Sequence, residues 1–158
     1  MLDQTTDLKS QLTRPDLVCD KAVVGGKWVA AASGKTFDVT NPARGDVIAR
    51  VPDLSREEVA QAIAIGEKTR HAWAARTGKE RAQVMRKWFD LMIANQEDLA
   101  IIMTAEQGKP LAEARGEVAY GASFVEWFGE EAKRVYGETI PGHQPDKRIT
   151  VISQPIGV

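Results

Sequence analysis

Glu106-Gln-Gly-Lys-Pro-Leu-Ala-Glu-Ala-Arg-Gly-Glu-Val-Ala-Tyr120, running on through Gly121-Ala-Ser-Phe-Val-Glu-Trp-Phe-Gly-Glu-Glu131 to Gly137-Glu-Thr-Ile-Pro141, is the stretch around which the chain is organised. Gly108 can end one helix in the left-handed conformation, and Pro110 can open the next, whose first residue needs no N–H. An amphipathic helix is expected from Pro110 or Leu111 to Tyr136, with Gly137 and Pro141 stopping it. Leu111, Ala114, Val118, Ala122, Val125, Gly129 and Ala132 recur as one apolar stripe, and Tyr120, Phe124, Trp127 and Phe128 widen it on an adjacent face. Gly116, Gly121 and Gly129 each cost a helix interior about 0.8–1.0 kcal/mol relative to Ala, so close backbone packing is expected in return.

Upstream, residues 5–13 can form a short helix with Leu8 and Leu12 on one side, ended by Pro15. Gly25-Gly26 separates two β-prone pieces within Ala22–Val29 and supplies the positive φ angles of a two-residue hairpin turn. The glycine pair lacks the Gly-x-Gly-x-x-Gly pattern of a phosphate loop, so the turn is preferred. Thr36–Thr40 and Val47–Val51 flank the turn-rich Asn41-Pro-Ala-Arg-Gly45 as a second hairpin. Ser55 with Glu58, and Thr77 with Glu80, are capping boxes opening two helices, the first to about residue 72 and the second to near Asn95. Val59, Ala62, Ile63 and Gly66 mark the expected buried side of the first helix; Val84, Trp88, Leu91 and Met92 mark that of the second. Asn95 can cap a third helix with Leu99, Ile102 and Met103 inward. Beyond Gly142–Lys147, Arg148–Gln154 alternates as a half-exposed strand should.

The 158 residues, 43% of them hydrophobic, suffice for a domain with a core. Their 21 basic and 22 acidic residues, net charge −1, give no reason to expect nucleic acid or an anionic membrane as partner. Lone Cys19 excludes an internal disulfide framework and suits a reducing compartment, the cytoplasm by default. The opening residues carry neither a signal h-region nor a transit pattern and read as a soluble leader. No uncharged apolar run approaches the roughly 20 residues that span a bilayer.

Residues able to do chemistry are sparse. Cys19 precedes a hairpin with no identifiable base, so an inert thiol is preferred to a nucleophile. Glu113 and Glu117 share a helix face as an acid–base or metal pair could, but a solvated carboxylate row is the simpler reading, as are i,i+4 pairs such as Glu130 with Arg134. His71 suits a helix C-terminus and His143 a polar loop, neither with a metal-ligand or base partner at a recognisable spacing. Trp28, Trp73, Trp88 and Trp127 are scattered without a basic track, which favours core packing over base stacking. Tyr120 and Phe124 are either core or one wall of an apolar tunnel, with core preferred on the residues alone.

Val24-Gly-Gly-Lys-Trp-Val29, Asn41-Pro-Ala-Arg-Gly-Asp-Val-Ile-Ala49, Glu106-Gln-Gly-Lys-Pro-Leu-Ala-Glu-Ala114 and Gln154-Pro-Ile-Gly-Val158 resemble, in order and spacing, the N-terminal part of the aldehyde dehydrogenase superfamily. Gly116–Phe128 and Glu130–Pro141 look like bacterial succinate-semialdehyde dehydrogenases, with glutarate semialdehyde the alternative substrate. The resemblance implies an α/β fold: hairpins and helices of a Rossmann-like NAD(P)-binding domain over residues 20–137, after a leader at 1–19, then the start of oligomerisation strands at 138–158. A family subunit is roughly three times this length. An N-terminal fragment, inactive alone, is therefore expected, or a non-catalytic interaction module if the chain ends naturally at Val158.

In the complete enzyme the resemblance implies a cysteine thiolate that attacks a small aldehyde, hydride transfer to NAD or NADP, and hydrolysis of a thioester by a glutamate-activated water. Those catalytic and cofactor-binding residues match no position here, and Cys19 does not fit the catalytic motif. The resemblance places Gly116, Tyr120 and Phe124 along the aldehyde entry tunnel, and implies a homodimer or homotetramer. Glu106 and the loop near Val39 match where some relatives bind a monovalent cation; no metal ligand is assigned on that match.

Overall fold

The structure, a computed structural model, describes residues 8–157. Residues 5–7 of the expected first helix lie outside it, and the remainder is a single 3-10 turn at Leu8–Gln11 followed by another at Pro15–Leu17. Three antiparallel hairpins and four helices follow. Strands β1 (Ala22–Val24) and β2 (Lys27–Val29) pair Val24 with Lys27 around Gly25 and Gly26, whose φ angles of 57° and 75° are the positive pair such a turn demands. Strands β3 (Thr36–Thr40) and β4 (Val47–Pro52) form the second hairpin, irregular between Val39 and Thr40. Buried Asn41 shapes its turn by accepting from Ala43 N at 2.9 Å through the side chain and from Gly45 N at 2.7 Å through the main chain.

Helices α1 (Arg56–Ala74) and α2 (Gly78–Ala94) begin at the two expected capping boxes. Glu58 N donates to Ser55 Oγ at 3.2 Å and Ser55 N donates back to Glu58 at 2.8 Å; Thr77 and Glu80 repeat both bonds at the same lengths. Helix α3 (Gln96–Gln107) ends at Gly108, left-handed at φ 76° as expected. Asn95, however, donates its side-chain amide to Leu91 O at 2.8 Å and finishes α2 instead of capping α3.

Helix α4 (Leu111–Glu131) buries Ala114, Val118, Ala122, Val125 and Gly129, the expected stripe, by packing along both α2 and α3. It stops short of Tyr136: Lys133 N and Arg134 N bond back to Glu130 and Glu131 carbonyls, and the chain turns away. Gly137 therefore does not stop the helix. It lies against the Val151 carbonyl, where a Cβ would not fit, at the root of the third hairpin, β5 (Glu138–Pro141) with β6 (Arg148–Val151). Strand β6 ends three residues before Gln154 and both strands are exposed throughout, not half-exposed, because neither face meets another layer.

Two expected buried sides are covered only in part: Ala62 and Gly66 of α1 and Met92 of α2 are half-buried, and the other expected positions are exposed. Val59 and Ile63 of α1 are exposed because that helix makes only slight contact with any other element. On α2 the Val84–Trp88–Leu91 row is exposed, while half-buried Met85, Phe89 and Met92 form the side towards α4. The core-packing expectation for Trp28, Trp73, Trp88 and Trp127 fails likewise, since all four are exposed for want of an apposed surface. The centre of the packed region is Ala100, Ala114 and Val118, with Leu99, Met103 and Leu111 against them.

Candidate functional site

The candidate site is the second face of α4, and its position follows from the first. Small residues in the buried stripe bring α4 close to its neighbours: at Gly129 a Cβ would meet the Met85 Cβ at 3.0 Å, and at Gly121 one would touch the Met92 methyl at 3.9 Å. With that stripe consumed, Gly116, Tyr120, Phe124 and Trp127 are turned outward. Tyr120 and Phe124, 64% and 45% exposed, are not core; their rings meet edge to face with centroids 4.8 Å apart and planes at 80°. Ser123 Oγ donates to the Tyr120 carbonyl at 2.7 Å, so its hydroxyl is turned back onto the helix.

A groove of about 540 Å³ lies along the C-terminal half of this face, lined by Phe124, Trp127, Phe128, Ser123, Glu126 and Glu130. Phe124 belongs to it; Gly116 and Tyr120 lie outside it, further up the helix. Nothing stands within 4 Å of a Cβ built at Gly116, so that glycine, unlike Gly129, is not required by packing inside this chain. The expected return of close contact therefore holds at Gly129 and fails at Gly116.

The N-terminal end of α4 is fixed electrostatically. Lys109 pairs with Glu117, so that carboxylate already has a counter-ion, in keeping with a solvated carboxylate row. Arg115 binds Glu97 of α3 through two bonds of 2.6 and 2.7 Å, and Gln96 Nε2 donates to Arg115 O at 2.9 Å. The hydrogen bond from Arg115 holds Glu97 below the usual glutamate range. At the other end the expected Glu130–Arg134 pair is replaced by Glu130–Lys133 and Glu131–Arg134, because the helix ends before residue 134.

Cys19 is half-buried between the 3-10 turn at Pro15–Leu17 and β1. His71 is in the last turn of α1 and His143 in the β5–β6 loop. Among the described residues, no group of three or more His, Cys, Asp or Glu side chains is gathered for a metal, and no helix is long and apolar enough to cross a membrane. A dinucleotide's phosphates also find no cradle among them. The N-termini of α1 and α2 are filled by the Glu58 and Glu80 carboxylates, α3 opens on Glu97 and Asp98, α4 carries Glu113, and Gly25-Gly26 is a hairpin turn.

What sequence reasoning missed is the junction of two of its own motifs. At Gly108 a Cβ would sit 3.0 Å from Pro42 Cγ, which puts the Glu106–Pro110 turn on the Asn41–Gly45 turn. Periodicity cannot report a contact between two turns; the hints were their joint glycine and proline content and the resemblance of Glu106 and the loop near Val39 to one region of the relatives.

Residues 28–158 match the model of the aldehyde dehydrogenase family. The chain belongs to that family. It is 61% identical over 148 residues to a glutarate-semialdehyde dehydrogenase of Pseudomonas aeruginosa, covering 94% of this chain and 31% of the relative. It is 53% identical, with the same coverage, to the NADP(+) succinate-semialdehyde dehydrogenase of Escherichia coli. A crystal structure of succinate-semialdehyde dehydrogenase from Burkholderia pseudomallei superposes with a TM-score of 0.90 at 51% identity, over 92% of this chain and 30% of that one. The chain thus spans about 31% of the length of the curated relatives it matches. The α/β architecture of hairpins and helices is an aldehyde dehydrogenase fold over that span.

Proposed function

We propose that this chain is part of an NAD(P)-dependent dehydrogenase that oxidises succinate semialdehyde to succinate, and that α4 lines the route by which the aldehyde enters. The supporting observation is the pair of semialdehyde dehydrogenases above 50% identity across 94% of the chain. Glutarate semialdehyde is the second reading, favoured by the 61% identity of the Pseudomonas aeruginosa relative. Residues 20–137 contribute to the cofactor domain and 138–158 begin the strands through which subunits associate as dimers or tetramers, in the cytoplasm.

Within this reading the chain's own residues act on access. Gly116 leaves room, Tyr120 and Phe124 present a T-shaped apolar wall, the Arg115–Glu97 pair ties α4 to α3, and Lys109–Glu117 ties it to the preceding turn. An apolar wall shields a semialdehyde's methylene chain and excludes water from its carbonyl end. NAD or NADP supplies the hydride acceptor when bound; no residue described here is assigned to hold it. Initial rates of NAD(P)H formation by the full-length protein from four- and five-carbon semialdehydes decide the substrate. A kcat/KM higher for the five-carbon compound replaces the first reading by the second, and no turnover of either removes both.

A further inference from the structure

The centre of the contact between α3 and α4 is made of small side chains. Ala100 and Ala114 are fully buried against each other with Val118 beside them, while the larger Leu99, Met103 and Leu111 are only partly buried. Methyl groups let two helices approach closely but raise no deep ridges to interlock, and apolar burial has no direction. Such a contact sets the distance between the helices more firmly than the rotation of either.

Directional bonds are supplied beside it. Gln96 and Glu97, consecutive in the first turn of α3, both hold Arg115, the neighbour of Ala114. Gln96 Nε2 donates to the Arg115 carbonyl at 2.9 Å, and the Arg115 guanidinium donates through Nε and Nη2 to the two Glu97 oxygens at 2.6 and 2.7 Å. One bond holds the main chain of α4 and two hold a side chain in a planar fork, a geometry that tolerates little rotation. The Arg115 and Glu97 side chains are 45% and 55% exposed, so the pair adds little to the stability of the fold. The residue after Arg115 is Gly116, where the outward face of α4 begins, and Tyr120 follows one turn later.

We propose that the grip of Gln96 and Glu97 on Arg115 sets the rotation of α4, and with it the discrimination between aldehydes at Gly116 and Tyr120; this rests on the reading of α4 as the wall of the entry route. Gln96, Glu97 and Arg115 are positioning residues: they bond to one another and act on an aldehyde only through the wall. A semialdehyde, with its methylene chain and carboxylate, meets more of that wall than acetaldehyde does.

The test uses the full-length protein, with acetaldehyde and whichever of succinate and glutarate semialdehyde it turns over faster. Arg115→Lys keeps the charge and loses the fork, and Gln96→Met keeps the length and loses the donor. Together they are expected to lower the ratio of semialdehyde to acetaldehyde kcat/KM by roughly fivefold or more, on a scale where a misplacement of about 1 Å costs about a hundredfold. The change should fall on KM for the semialdehyde, with little movement of the thermal midpoint. Arg115→Ala, Glu97→Ala and the double substitution should each shift the ratio by the same factor, as members of one unit do.

An unchanged ratio overturns the proposal. So does an equal fall for both aldehydes with a lowered midpoint, because the three residues would then support the fold and not the wall. Gly116→Leu separates the two possible failures. If it lowers semialdehyde kcat/KM while the Arg115 variants leave the ratio alone, the grip is overturned and the wall stands; if neither acts, both are overturned.

Discussion

Gly129 of α4 and Met85 of α2 are so close that a Cβ added to the glycine would lie 3.0 Å from the methionine Cβ. The obstructing atom is next to the α2 backbone and cannot swing aside as a side-chain tip could. Gly129→Ala therefore sets a helix-propensity gain of about 0.8–1.0 kcal/mol against overpacking of about 1–3 kcal/mol. A net loss of about 1 kcal/mol is expected on these figures, read as a lower urea midpoint at unchanged slope. A midpoint that rises would show that the two helices can part at no expense.

Ser55 accepts from Glu58 N, and Glu58 returns one oxygen to Ser55 N and the other to Ala32 N at 2.8 Å. One box thus starts α1 and ties it to the segment after β2. Ser55→Ala should lower stability by about 1 kcal/mol, with a matching loss of helical circular dichroism near the transition. Thr77→Ala, whose box makes no such cross-link, should behave as a purely local cap.

The N–H donors of Ser55 and Ala32 hold the Glu58 carboxyl below its ordinary range, and those of Thr77 do the same for Glu80. A depressed folded pKa means that the unfolded chain binds more protons in acid. The stabilisation is thus complete above the unfolded glutamate value of about 4.3 and is lost as pH falls through the folded value. Glu58→Gln should be less stable than wild type at neutral pH and converge with it as pH falls below the folded Glu58 value. Urea midpoints across that range check this; a constant offset at every pH contradicts it.

Val59 and Ile63 on α1, Val84, Trp88 and Leu91 on α2, and Phe124, Trp127 and Phe128 on α4 are all exposed apolar side chains. Rows of that kind on three helices exceed the scattered apolar residues of an ordinary surface. Expressed alone, residues 1–158 should self-associate and enhance 8-anilinonaphthalene-1-sulfonate fluorescence; sedimentation as a dye-silent monomer would contradict this.

Local chemistry was legible in the sequence where one residue type dictates one geometry. Gly25-Gly26, the two capping boxes and Gly108 all adopt the expected conformations. The Leu111–Ala132 stripe was legible too, because α4 finds both of its partners within the chain. Val59 and Ile63 of α1 and the Val84–Trp88–Leu91 row were read with the correct periodicity and the wrong environment: period tells which residues share a face, not whether anything covers it. The same gap explains the tryptophans. Asn95 shows a different failure, in which a residue suited to cap the next helix bonds back to the one before it.

For the candidate site, the sequence placed Tyr120 and Phe124 one turn apart but could not show that their rings meet edge to face or that neither is core. It also treated Gly116 and Gly129 alike. Their surroundings separate them, one open and one crowded.

That difference provides the most direct test of α4 as a substrate wall. In the full-length protein, Gly116→Leu fills space that is empty within this chain, so the thermal midpoint should hold or rise through better helix propensity. Its kcat/KM for succinate semialdehyde should fall by roughly tenfold or more, the scale set by one or a few misplaced methylenes in an apolar passage. An undiminished kcat/KM with the fold intact would contradict the assignment.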